Sequence, residues 1–347
     1  MDKCIYFKDY SEKLNYSSGD HIFSAAIGGI KKLDKGFVSD EANNALSKLE
    51  RKAYQNSIIS ISRQSHGIGK RGKRSDKANI KSAIVRLMQS KTDGEYSLGY
   101  FLKWTPIKIG QFCFDLVNHC VMNVVISPDE KDTDLLKVIK ENWTGHYNII
   151  EYGKLDSVAL LGFHEDKWYL AIPSENSLET CKKLINSLVN AESMIRIRTE
   201  KKISQTLAYF PFVYDENYYR IVAKTAFNYL ASICGQEFIL NKDFDKIRNY
   251  ILHGGDNSNY VRAADSNGMH EFIRTEIINA NNHFINIVKQ DNVIGAMISI
   301  FGFISFVRLS ENSHLLIEDY GYICDIKNQK EMLLSDYLSQ IIFKNTI

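Results

Sequence analysis

Proline is scarce in this chain, 4 among 347 residues, and beside a hydrophobic content of 44% that scarcity argues for a folded, soluble protein. A surplus of charge is missing too: the formal net charge is +2. The chain as a whole is no polycation, so any nucleic-acid surface has to come from local clustering of cations. The six cysteines, at positions 4, 113, 120, 181, 234 and 324, form no regular framework, which suits a reducing cytoplasm. No N-terminal stretch combines a basic start, an apolar run and a small-residue cleavage site. The most apolar run, Val293 to Val307, is about 15 residues long, short of the roughly 20 that span a bilayer. It reads as a buried strand pair or core element, and no membrane partner is expected. Residues 96 to 347 hold no GxxxxGKS phosphate loop, GxSxG elbow or HExxH pair, and no repeats or low-complexity tracts occur. The length exceeds one small core and implies two or three domains.

One stretch joins residue types and spacing in a way that implies chemistry: Gly19 to Asn44, GDHIFSAAIGGIKKLDKGFVSDEANN. It sets Asp20 directly before His21, a Gly28-Gly29 turn a few residues later, and Asn43-Asn44 beyond that. An imidazole titrates near neutrality, so His21 can act as a general base toward a water poised to attack a phosphodiester. Asp20 is the natural metal ligand beside it. Its carboxylate and the carbonyl of Asn43 or Asn44 supply the oxygen donors that Mg2+ or Mn2+ prefers, and leave room for waters and a phosphate.

In this order of residues, positions 4 to 74 resemble an HNH nuclease domain, the ββα-metal fold, of the type whose zinc knuckles frame the active hairpin. Cys4-Ile5-Tyr6-Phe7 stands where that family has its first CxxC, and Ser39-Asp40-Glu41-Ala42 where it has its second. Only Cys4 of the four zinc ligands remains. A tetrahedral structural zinc needs about four N or S donors, so no structural zinc is expected. The hairpin would be held instead by Ile5, Phe7, Phe23, Ile27, Phe37 and Val38. The resemblance makes His21 the catalytic residue, Asp20 the metal-binding acid and Asn43 the last metal ligand, with one Mg2+ or Mn2+ per site. Asn44 and Glu50 are candidates for a further ligand or a partner of the ligands. The family's middle Asn, which orients the histidine, has no counterpart, because Asp34 to Gly36 occupy that loop.

Local pattern places these residues. Asp20 to Ala26 reads as the first strand of a hairpin and Gly36 to Ser39 as its return, with Ser39 or Asp40 capping a helix over 42–54 that carries Leu46, Leu49 and Ala53 on one face. From Arg63 to Arg86 the cations Arg63, Lys70, Arg71, Lys73, Arg74, Lys77, Lys81 and Arg86 face the single acid Asp76. With the glycines between them they suit close approach to a phosphate backbone and salt-sensitive affinity; Arg51 is a further candidate contact. Residues 78–92 read as an amphipathic helix, 107–126 and 157–172 as strands with a hairpin turn at 164–167, and 132–141 and 178–188 as helices. Beyond them come a long helix over 218–235 stopped by Gly235, a shorter one over 244–252 ending in His253-Gly254-Gly255-Asp256, an alternating run at 271–279, strands over 283–309 and a closing helix over 330–342.

The expected fold class is therefore α+β: an N-terminal ββα-metal module with its basic loop (1–92), an α+β domain (96–200) and a helix-and-strand C-terminal domain (201–347) for target recognition, regulation or assembly. The expected function is a metal-dependent HNH endonuclease hydrolysing phosphodiester bonds of DNA in the cytoplasm, by analogy a restriction or phage-defence effector. A single-metal site nicks one strand, so double-strand cutting would require two sites, most simply in a homodimer. The alternative is a non-catalytic nucleic-acid-binding protein that keeps a degenerate HNH scaffold.

Overall fold

The computed structural model describes residues 3–8, 14–66, 68, 85–102, 105–126, 134–151, 155–191, 198–199, 206–208, 214–265, 267, 269–271, 273–311, 313 and 320–345. They form mixed α and β structure. The chain groups into two compact units, one of residues 1–63, 67–78 and 212–347, the other of residues 64–66 and 79–211. The N-terminal and C-terminal regions, expected as separate domains, thus lie in one unit and share one hydrophobic core.

The N-terminal part of that unit is a short turn-and-helix assembly. Its expected hairpin is reduced to a bridge between His21 and Lys32, with Ile22 N–H on the Lys31 carbonyl and Leu33 N–H on the Asp20 carbonyl. The reason is local. Ser24 caps a 3-10 turn, Ala25–Ile27, and Gly28 ends it at φ 104°, so residues expected to extend the ladder are spent in the turn. Residues 36–39 do not return along the first leg; Phe37 accepts from Ile5 N–H at 2.8 Å. Helix α1 (Asp40–Asn56) then starts where expected, because the Ser39 hydroxyl accepts from Ala42 N–H and Asp40 and Glu41 complement the dipole of the first turn. Those two acids also hold the preceding loop, Asp40 accepting from Ser17 and Ser18 and Glu41 from Asn15. Helix α2 (Ile59–Ser65) follows.

The second unit is built on two sheets. Strands β1 (Arg86–Ser90), β2 (Tyr96–Leu102), β3 (Thr105–Lys108) and the late β10 (Thr206–Ala208) form an antiparallel sheet in the order β10-β1-β2-β3. The other sheet joins β4 (Gly110–Asp115), β5 (Cys120–Ile126), β6 (Asn148–Glu151), β7 (Val158–His164), β8 (Lys167–Ile172) and β9 (Arg198–Thr199) in the order β6-β8-β7-β4-β5-β9. Helices α3 (Leu135–Asn142) and α4 (Leu178–Val189) pack on it through Leu135, Ile139, Cys181 and Ile185. The β7–β8 turn falls where the pattern places it, with Glu165 and Asp166 both at positive φ, as a tight two-residue turn requires. Residues 86–90 overturn the helix expected over 78–92: Leu87 and Met88 are adjacent and both buried, so a strand covered on both sides shows no alternation to read. Residues 78–84 of that expectation lie outside the described residues.

The first unit resumes with α5 (Glu216–Cys234), capped by the Asp215 carboxylate and stopped at Gly235, φ 85°. Every residue from Ile221 to Ala231 is buried, the mark of a helix wrapped on all sides. Helices α6 (Gln236–Ile239) and α7 (Asp245–His253) follow. Strands β11 (Val261–Ala264), β12 (Asn282–Gln290), β13 (Val293–Ile300), β14 (Phe303–Ser310), β15 (Tyr320–Asp325) and β16 (Lys330–Leu333) make an antiparallel sheet in the order β11-β14-β13-β12-β15-β16. Alternation sorts its faces: Ile285, Ile287 and Ile298 enter the core with α1 and α5, while Phe284, Ile304 and Ile323 pack with Ile277 and Ile278 on the other side. The apolar run 293–307 is thus a core strand pair. Two expectations are corrected here. The alternating run at 271–279 contains a π-helical turn, Ile273–Ile277, because the chain must turn before β12. The closing helix α8 (Leu334–Asn345) begins only after β16 has paired with β15. Among the described residues no helix is long and apolar enough to cross a membrane.

Candidate functional site

Asp20, Glu50 and Lys224 meet inside the first unit, brought together by the short N-terminal turn, the third turn of α1 and the middle of α5. Lys224 Nζ lies 2.7 Å from Asp20 Oδ2 and 2.9 Å from Glu50 Oε1, with side-chain exposures of 2% for the lysine, 5% for Asp20 and 17% for Glu50. Asn228, four residues after Lys224 and so on the same helix face, donates from Nδ2 to Asp20 Oδ2 and to the His21 carbonyl, both at 2.9 Å. Its Oδ1 accepts from the Tyr6 hydroxyl at 2.6 Å. Asp20 Oδ1 accepts from His21 N–H at 2.8 Å, and Glu50 Oε2 from the Ser24 hydroxyl at 2.9 Å. Burial opposes the charge on Lys224, but the carboxylates of Asp20 and Glu50 override it and hold its pKa above the ordinary lysine range. Burial raises the Tyr6 phenol well above its usual value, aided by the Asp20 charge, so Tyr6 stays a donor.

His21 is half-buried, and its imidazole has no hydrogen bond to a described residue. Burial lowers its pKa, Lys32 adds to the effect and Asp20 opposes it, which favours the neutral ring that can accept a proton. The structure brings the carboxylates of Asp20 and Glu50 together on Lys224, with the His21 backbone N–H on Asp20. It does not bring Asn43 into hydrogen-bond contact with Asp20: Asn43 Nδ2 approaches Ser18 Oγ at 3.4 Å. Asn44 is exposed, its carbonyl taken by the Ser47 hydroxyl.

The two segments that stand in the positions of a zinc knuckle do converge. Ser39 N–H lies 3.5 Å from Cys4 Sγ, and Gln236 Nε2 bridges the carbonyls of Lys3 and Gly36 at 2.6 and 2.7 Å. Hydrogen bonds and the buried Ile5, Phe23, Ile27 and Val38 hold the segments together. Of the expected nucleic-acid contacts, Arg63 is corrected. It is buried and donates from Nε to the Ala26 carbonyl at 2.7 Å, so it braces the turn instead of facing a phosphate. Arg51 is exposed on α1; Lys70, Arg71, Lys73 and Arg74 lie outside the described residues. Lys31, Lys32, Lys35, Lys48 and Lys52 are also exposed, the last two on α1.

A divalent cation at Asp20 does not fit these residues as they stand. Both oxygens of the carboxylate are engaged, and Lys224 Nζ stands at the point toward which Asp20 and Glu50 converge. Even unit charges about 4 Å apart repel by about 4 kcal/mol at an effective dielectric constant near 20, and a divalent ion doubles this. Among the described residues no group of three or more His, Cys, Asp or Glu side chains could hold a metal ion. No family model, curated protein or solved structure matches the chain. Sequence reasoning passed over Lys224 and Asn228. Their signal is present as a lysine and an asparagine one helical turn apart inside IVAKTAFNYLA, a mostly apolar helix segment.

Proposed function

We propose that the chain binds nucleic acid, most readily DNA, through a turn-and-helix scaffold of the HNH type that no longer depends on a divalent cation. The observation that carries this reading is the Lys224 ammonium seated between Asp20 and Glu50 at 2.7 and 2.9 Å, together with the order Asp20-His21, Gly28-Gly29, Asn43-Asn44 in the sequence. Exposed Lys31, Lys32, Lys35, Lys48, Arg51 and Lys52 supply cations for phosphates, and the basic stretch from Lys70 to Arg74 adds more. Such contacts release counterions, so affinity should fall steeply with salt.

A second reading, an endonuclease of the same scaffold hydrolysing phosphodiester bonds, is favoured by one feature. Burial favours the neutral form of His21, and its ring makes no hydrogen bond to a described residue, as suits a general base. Plasmid incubated with the full chain in EDTA, Mg2+ or Mn2+, beside His21→Ala, decides between them. Salt-sensitive retention of plasmid without cutting, unchanged by His21→Ala, is the expected result. Nicking or linearisation that His21→Ala abolishes would establish the endonuclease, and neither retention nor cutting would remove both.

A further inference from the structure

We infer that Lys224 is a built-in substitute for the divalent cation of this site, so that the folded chain has no Mg2+ or Mn2+ site at Asp20 but acquires one when the lysine is removed. The inference rests on the HNH-type reading for why a cation should sit there at all; the geometry of the cluster stands without it. Two carboxylate oxygens from segments far apart in the chain, Asp20 Oδ2 and Glu50 Oε1, converge on a single point, and a cation occupies it. The supporting contacts serve the carboxylates. Asn228 and the His21 N–H orient Asp20, and the Ser24 hydroxyl orients Glu50, which is how ligand carboxylates are held around a metal. Oxygens within 3 Å of a nitrogen need only a small inward shift to reach the roughly 2.1 Å of a Mg2+–oxygen bond. Waters would complete the shell once the lysine side chain has left its space.

An ammonium differs from a metal in being fixed. Carried on α5, it arrives with folding, cannot be stripped by chelators and cannot bind a substrate oxygen by losing a water. The two carboxylates are thus neutralised in part without creating a Lewis acid, which matches a scaffold kept for binding.

The test is uptake of Mn2+ by the full chain, read from the EPR signal of the free ion, with melting by circular dichroism alongside. For the wild type we expect no saturable uptake and no change in melting temperature with MnCl2 or EDTA. For Lys224→Ala we expect saturable uptake of a single Mn2+, a melting temperature below that of the wild type, and its recovery on adding MnCl2; adding Asp20→Asn to the variant should abolish both uptake and recovery. Saturable uptake by the wild type that Asp20→Asn removes would overturn the inference, as would a folded Lys224→Ala that takes up no Mn2+. Should Lys224→Ala fail to fold without metal, refolding it with and without MnCl2 decides the question equally well: folding in Mn2+ alone supports the substitution, and no folding in either overturns it. None of these readouts involves nucleic acid, so a failure of DNA binding leaves them intact.

Discussion

Replacing Asn228 tests whether the N-terminal turn is locked to α5 as the geometry requires. The side chain is fully buried and makes three hydrogen bonds: to the Asp20 carboxylate, to the His21 carbonyl and from the Tyr6 hydroxyl. Asn228→Ala strands the Tyr6 hydroxyl and the His21 carbonyl at about 1–2 kcal/mol each and removes a charge-assisted bond of about 2 kcal/mol, for a total of about 4–6 kcal/mol. Against a typical domain stability of about 5–15 kcal/mol, that is a large fraction. Tyr6→Phe alone leaves the Asn228 oxygen without its donor and should cost about 2 kcal/mol. In the Asn228→Ala background the same change removes the stranded hydroxyl, so it should recover about 1–2 kcal/mol. The expected coupling between the two substitutions is therefore about 3–4 kcal/mol. Urea unfolding of the four proteins, followed by far-UV circular dichroism, reads it as a midpoint displaced by about 1.5–2 M at an m-value near 2 kcal/mol/M. Costs that add to within about 0.5 kcal/mol would refute the reasoning, because independent sites behave that way.

Two further outcomes follow from the same region. His21 should titrate below the ordinary histidine value in NMR spectra of its ring protons, because burial and Lys32 disfavour the charged form. A folded-state pKa below the unfolded one contributes stability at higher pH that is lost as the pH falls through the ordinary value toward the lowered one; a histidine titrating above about 6.5 would contradict this. Gly29→Ala should destabilise the first unit by several kcal/mol, since a methyl group there collides with the Phe23 carbonyl. A melting temperature within a degree or two of the wild type would mean that the turn is not packed as described.

Much of the architecture was legible locally. Ser39 caps α1, Gly235 stops α5, and Glu165-Asp166 make the turn between β7 and β8. Each of these depends on atoms a few residues apart, which is the range over which side-chain chemistry and periodicity act. Where the pattern misled, contacts beyond that range won. Residues 86–90 became a strand because β2 and β10 flank them, and the hairpin from Asp20 stayed short because residues 36–39 pair with the Cys4–Ile5 segment.

The site divides along the same line. Local order alone picked out Asp20, His21 and Glu50, expecting the first two on a hairpin strand and the third on the helix after it. What faces Asp20 was decided only by tertiary structure. Lys224 lies 174 positions from Glu50 in the chain, and a lysine inside a helix reads as a solvated cation until the packing of α5 against α1 removes it from water. The sequence by itself therefore offered Asp20, His21 and Glu50 as candidates, and the two carboxylates among them do meet. Only the fold determined that the cation between the carboxylates is a lysine, because that depends on how distant helices pack, which no local period encodes.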